Sequence, residues 1–286
     1  MKKILVTGGA GFIGSNLCER LSKDKNCEIF SLDNYSTGTE KNHIDGVKYI
    51  RGSTVDIDSL VLFSPDVVYH LGEYSRVEQS FKDIDAVWTS NKTGIFAVLQ
   101  FCRKHSSKII YAGSSTKFGD GGLGRNQSPY AWTKSSNTEL VINFGRWFNI
   151  PYAITYFYNV YGEREIESGE YATLIALFKE KSRNNESLTV VSPGSQRRNF
   201  THVDDIIDGV ILVGEHGNGD DFGIGSTESF TVLEIAQMFG GNIKMLPERQ
   251  GNRMSADVVI EKTQALGWAC HRSIGSYISE FRKQNG

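Results

Sequence analysis

Leu5-Val6-Thr7-Gly8-Gly9-Ala10-Gly11-Phe12-Ile13-Gly14 is the stretch whose reading decides the fold. The apolar run Ile4-Leu5-Val6 has the length and branching of a buried parallel strand, and Phe12 to Leu21 carries apolar residues at helical spacing. The glycines therefore fall between a strand and a helix. Glycine there permits a tight turn and lets backbone approach a ligand closely, while the helix N-terminus offers unpaired N–H groups and a partial positive charge to an anion. The stretch predicts a pyrophosphate cradle at Gly8, Gly11 and Gly14.

Glycine turns between strand and helix are common, and it is the next apolar segment that makes this one specific. Cys27-Glu28-Ile29-Phe30-Ser31-Leu32 ends in Asp33, about twenty residues beyond the glycines, where a carboxylate can accept both hydroxyls of an adenosine ribose. An acid at that point repels a 2′-phosphate, and the following Asn34, Tyr35, Ser36 and Thr37 bring no arginine. The cofactor implied is NAD, not NADP.

Outward from this turn, strand-like runs (47–50, 66–71 and 108–112) alternate with helix-like segments (near 58–62 and 87–103). Such alternation means parallel βαβ units wound right-handedly into one sheet covered on both faces, with ligands at the carboxyl ends of the strands. The fold class predicted is α/β, a Rossmann-type doubly wound parallel sheet with a smaller C-terminal α/β substrate lobe. Residues 1–160, with 199–225 returning to them, would form the NAD-binding part; 161–198 and 226–286 would form the lobe.

A chain of 286 residues, 39% hydrophobic and with a formal charge of −2, can bury such a core. The near-neutral balance, with no basic cluster beyond Arg197-Arg198, argues against nucleic acid or an anionic membrane as partner and favours a small molecule. No apolar run reaches the roughly 18 residues of a membrane span, and Met1-Lys2-Lys3 leads into a strand and not a signal-peptide core, so a cytoplasmic protein is expected. Four cysteines without a C-x-x-C pair and six histidines without ligand spacing predict neither disulfides nor a metal site.

After the fifth strand-like run come Gly113, Ser114, Ser115, Thr116 and Lys117, and Pro129-Tyr130-Ala131-Trp132-Thr133-Lys134 then opens an amphipathic helix. Tyr130 and Lys134, four apart, share a helical face, where the ammonium can favour phenolate over phenol and make Tyr130 a usable general base. Together with T-G-G-A-G-F-I-G, the L-D-N after the second strand, H-L-G after the fourth, Asn91 before Thr93-Gly94, the S-S-T cluster, Y-N-V-Y-G, R-N-F-T-H-V-D-D and a closing L-G-W, this resembles the extended short-chain dehydrogenase/reductases over nearly the whole chain. That family comprises nucleotide-sugar epimerases, dehydratases and 4-keto reductases.

The resemblance implies that Ser114 and Tyr130 form the hydrogen-bonding and base pair, that Lys134 holds the nicotinamide ribose and tunes Tyr130, and that Thr116 supports the sugar hydroxyls. It places Phe12, Ile13, Asp33, Asn34, Leu71, Asn91 and Tyr158 at cofactor-contacting positions. It puts Asn159, Arg198 and Arg249 at the substrate diphosphate, an anion that suits guanidinium forks. A homodimer is implied, with apolar bulk from Trp88, Ile95, Phe96, Leu99, Trp147 and Phe148.

The chain also departs from the family. Ser115 and Thr116 stand where the 4,6-dehydratases carry an Asp-Glu pair, which argues against dehydration. Ser53 and Thr54 stand where an aspartate usually meets adenine. The stretch between Gly119 and Tyr130 is short and glycine-rich. Glu73, Tyr74 and Arg76 are unusual beside the expected nicotinamide; a Glu73–Arg76 pair bracing the loop is the simpler expectation, and a substrate contact the other. The function expected is NAD-dependent epimerisation of a nucleotide-sugar, at C4 of a UDP-hexose, against a 4-keto-sugar reductase using exogenous NAD(P)H or a non-catalytic nucleotide-binding scaffold.

Overall fold

The computed structural model describes residues 1–118, 120–248 and 257–285. Strands β1 (Lys2–Thr7), β2 (Cys27–Asp33), β3 (Lys48–Arg51), β4 (Val67–His70), β5 (Lys108–Ser114), β6 (Tyr152–Phe157) and β7 (Gly219–Ile224) form one seven-stranded sheet in the order β7-β6-β5-β4-β1-β2-β3. Every pairing is parallel, with Ile4 beside Ile29 on one flank and Val67 on the other. The doubly wound α/β fold read from the sequence is borne out. Strand order reverses between β1 and β4, and the crevice at that switch point is where such sheets take ligands.

Helices cover both faces because the strands are apolar on both. One core gathers Ile4, Val6 and Ile29 with Leu17 of α1 (Phe12–Ser22) and Ile206 and Val210 of a later helix, Val203–His216. The other gathers Leu5, Leu32 and Val68 with Val98 and Leu99 of α2 (Gly94–His105) and Val141 and Phe144 of α3 (Pro129–Phe148). A third core lies outside the sheet, around Phe178, Val190, Ile235 and Ile278.

The single long helix expected over 87–103 is interrupted. A short turn at Ile84–Val87 passes into a π-helical turn at Trp88–Thr93 before α2 begins. The π turn carries Asn91, fully buried, whose amide is committed to the neighbouring loop and to α3, and such a bulge is how a helix re-aims one side chain. The start of α3 is set more firmly. Ser128 accepts the Ala131 N–H at 3.1 Å and Pro129 occupies the first turn, so the helix begins where Tyr130 must point at β5.

The glycine turn is sterically exacting. Gly8 has φ +75°, and a Cβ there would lie 2.9 Å from Gly72; a Cβ on Gly14 would lie 2.0 Å from the Gly8 carbonyl oxygen. Gly14→Ala is therefore expected to displace α1 from the turn, costing about 1–3 kcal/mol and loosening the cofactor. Thermal melts of the variant with and without NAD check both effects.

Candidate active site

A cavity of about 1100 Å³ opens along the carboxyl ends of the strands. Of the residues singled out in the sequence, Gly8, Gly11, Phe12, Ile13, Gly14, Asp33, Asn34, Ser53, Thr54, Leu71, Ser114, Thr116, Tyr130, Lys134, Asn159 and Arg198 all line it. Asn91 and Tyr158 do not. Both are buried behind the wall, where Asn91 fastens the loop after β4 and the Tyr158 hydroxyl accepts the Val259 N–H at 3.1 Å. Arg249 lies outside the described residues.

At the glycine end, the Asp33 carboxylate is fixed by its own turn. Oδ2 accepts the Ala10 N–H at 2.9 Å and Oδ1 accepts the Tyr35 N–H at 2.8 Å, leaving lone pairs that face the cavity for hydroxyl donors. Ser53 Oγ accepts the Val55 N–H at 3.2 Å, capping a short turn that starts at Thr54. The turn, the ribose-type carboxylate and the crevice are the shape and donor set that a dinucleotide needs, so the residues present fit NAD.

At the other end three hydroxyls converge. Tyr130 donates to Ser114 Oγ at 3.1 Å, and Thr116 donates to the same oxygen at 3.0 Å, with the Thr116 N–H at 3.3 Å. Ser114 Oγ, with two lone pairs, can take two of these donors and aim its own proton into the cavity, at a substrate oxygen. Beyond β6, Asn159 is held by donation to the Asn199 carbonyl at 3.1 Å, and Arg198 donates to the Arg197 carbonyl at 2.8 Å.

Lys134 sits differently from the simple Tyr–Lys picture. Its ammonium donates to Glu73 Oε2 at 2.5 Å and to the Ala112 carbonyl, leaving one proton for a ribose hydroxyl or the phenol. Glu73 in turn accepts from Tyr111 at 2.9 Å and from Asn137 Nδ2 at 3.0 Å, with His70 Nε2 3.5 Å from Oε1. That last contact is long for a hydrogen bond, and Nε2 has no other partner among the described residues. His70 Nδ1 faces Thr7 Oγ1 at 2.7 Å, and Thr7 already accepts the Gly72 N–H, so its hydroxyl proton is free for Nδ1 and the ring proton falls on Nε2, toward Glu73. Burial alone would push the Glu73 carboxyl up, but the Lys134 ammonium and His70 outweigh it and hold it at about 2.

The expected Glu73–Arg76 brace is therefore absent: Glu73 turns inward to Lys134, and Arg76 donates to the Tyr171 and Ser75 carbonyls. The reason is geometric. Residues three apart in a loop need not share a face, and a buried ammonium competes far better for a carboxylate than a guanidinium at the cavity wall. Sequence reading missed Tyr111 and Asn137 as partners of this carboxylate. The signal present was an ionisable residue three positions after the end of a fully buried strand.

The profile described as NAD dependent epimerase/dehydratase family matches residues 4–225. An uncharacterized UDP-glucose epimerase of Bacillus subtilis is 31% identical over 259 residues, 82% of this chain and 80% of that one. The UDP-glucose 4-epimerase of Thermotoga maritima, solved with UDP-glucose, superposes with a TM-score of 0.90 at 25% identity over 99% of each chain. The UDP-glucuronic acid 4-epimerase of Bacillus cereus, solved with UDP-glucuronic acid and NAD, gives 0.87 at 26% identity over 99% of each chain.

Proposed function

We propose, from the premise that the chain belongs to the NAD dependent epimerase/dehydratase family, that it epimerises a nucleotide-sugar at C4 of a UDP-hexose through a transient 4-keto sugar. The observation that carries the reading is the convergence of Tyr130 and Thr116 on Ser114, with Lys134 beside them, at the opposite end of the cavity from Asp33 and the glycine turn. NAD, when bound, supplies hydride acceptance and return at the sugar carbon. Tyr130 takes the C4 hydroxyl proton as the carbonyl forms and gives it back after the keto sugar has turned over in the cavity. Ser114 holds the C4 oxygen in both directions, and Thr116 keeps Ser114 Oγ oriented. Lys134, neutralised by Glu73, acts less as a free cation than as a fixed donor for the ribose and the phenol. Asn159 and Arg198 meet the diphosphate, and Ser115 and Thr116, without a carboxyl group, leave no acid–base pair for dehydration.

The apolar surface of α2 and α3 supports a homodimer. Phe96, Trp147 and Phe148 are exposed, as are Trp88 and Trp132, whose rings stack at 6.0 Å and 11°. No helix among the described residues is long and apolar enough to cross a membrane. We read the protein as cytoplasmic.

The test is turnover without added cofactor. The purified protein is expected to change the C4 configuration of a UDP-hexose or its C6-oxidised form, followed by proton NMR. Unchanged configuration of every UDP-sugar supplied, or stoichiometric consumption of added NAD(P)H, would contradict it, the latter result identifying a 4-keto reductase.

A further inference from the structure

Arg76 is a cation in the wall of the reacting end, and no ion pair links it to a carboxylate among the described residues. Its other possible partner, Glu73, is spent on Lys134. Its guanidinium is nonetheless held in place. Nε and Nη2 donate to the Tyr171 carbonyl, at 3.0 and 2.5 Å, and Nη1 to the Ser75 carbonyl at 3.1 Å. The grip is braced from behind: Tyr74 and Tyr171 both donate to Asp83 Oδ2, at 2.8 and 2.9 Å, and the Tyr74 N–H is fixed by Asn91 Oδ1 at 2.7 Å. Nη2 keeps a second proton with no partner among the described residues.

Burial holds the guanidinium below the usual arginine range, and Tyr130 is the foremost group acting against that effect, so the cation sits within electrostatic reach of the reacting phenol. The acid that also acts on it, Glu165, accepts the Gly162 N–H and the Thr173 hydroxyl and is itself pushed up to about 7 by burial. A partly desolvated, fixed guanidinium without a carboxylate is the arrangement expected where the ligand brings the anion. In the reading proposed above the diphosphate is met by Arg198 and Asn159, which line the cavity from segments after β6 and not from the loop after β4. The anion facing Arg76 must then belong to the sugar.

We infer that Arg76 reads a carboxylate on the hexose, so that the substrate is a nucleotide-linked hexuronic acid. The inference rests on the epimerase reading above and names the substrate class for the same site. A planar carboxylate at C6 matches a guanidinium edge, while a neutral hydroxymethyl group in its place leaves the partly desolvated cation without a counter-charge.

The experiment compares UDP-glucuronic acid, its C6 methyl ester and UDP-glucose on the NAD-loaded protein, by turnover and by calorimetric binding. The free acid is expected to exceed both neutral sugars in kcat/KM and in affinity by about 10- to 100-fold, the range for a hydrogen-bonded charge left unpaired. Arg76→Ala is expected to lower kcat/KM for the acid at least ten-fold more than for UDP-glucose, and Arg76→Lys to restore part of the preference. Equal or better use of the neutral sugars by the unchanged protein would overturn the inference, as would an Arg76→Ala loss shared equally by acid and neutral sugar, which would make Arg76 a diphosphate contact or a loop brace. Binding distinguishes this outcome from failure of the epimerase reading. Preferential binding of the acid without any change at C4 keeps Arg76 as the carboxylate reader and sinks the reaction assigned to Tyr130.

Discussion

Tyr130→Phe is expected to lower kcat for C4 epimerisation by about 10²- to 10⁴-fold while leaving NAD content and thermal stability close to those of the unchanged protein. The magnitude is that of removing a positioned general acid–base. The substitution takes away one oxygen from a half-buried ring whose hydroxyl has a single partner among the described residues, Ser114 Oγ at 3.1 Å, and Ser114 keeps the two donors of Thr116. Packing is therefore intact, and the cofactor turn at Gly8–Gly14 and Asp33 lies at the far end of the same cavity. Retention of more than a tenth of the activity would remove Tyr130 from the role of base. A parallel loss of NAD would mean that the phenol holds the cofactor and does not act on the sugar.

Glu73→Gln is expected to be the most damaging change away from the sugar. It leaves the Lys134 ammonium buried without its carboxylate, a change that costs about 3–5 kcal/mol in comparable buried pairs and on the order of 10 °C in Tm. The pH dependence has a definite sign. The Glu73 carboxyl is held at about 2 in the folded protein against an ordinary value of 4.5, so its contribution is fully present above 4.5 and is lost as pH falls toward 2. Stability of the unchanged protein should fall over that window, and the variant should show a shallower fall. A second readout separates this from mere loosening of the fold. With Glu73 uncharged, Lys134 becomes a net cation beside Tyr130 and favours phenolate, so the acid limb of the kcat profile should move to lower pH. An unmoved limb would confine Glu73 to a structural role.

What could be read in the sequence was what short segments decide. The turn at Gly8–Gly14 and the acid at Asp33 announce themselves because strand, glycine and helix are adjacent, and the Tyr130–Lys134 spacing is a property of one helix. The sheet followed from apolar runs buried on both faces. The partners of those groups were not legible, because they come from elements distant in the chain: Glu73 lies sixty-one positions from Lys134, and Tyr111 reaches Glu73 from the neighbouring strand. A loop pair guessed from proximity in sequence, Glu73 with Arg76, lost to a buried ammonium that no local pattern reveals. Asn91 could be named from the resemblance, but its place behind the wall depends on a π turn that apolar periodicity does not record.

Epimerisation as proposed requires that hydride leave and return to the same carbon inside one cavity. The direct test supplies the UDP-sugar labelled with deuterium at C4 to the protein as purified, with no added cofactor, and follows the product by NMR. A C4-inverted product that retains deuterium at C4 is expected, with none lost to solvent or to added unlabelled NADH. Inversion with washout of the label, or label transferred stoichiometrically to exogenous cofactor, would contradict it.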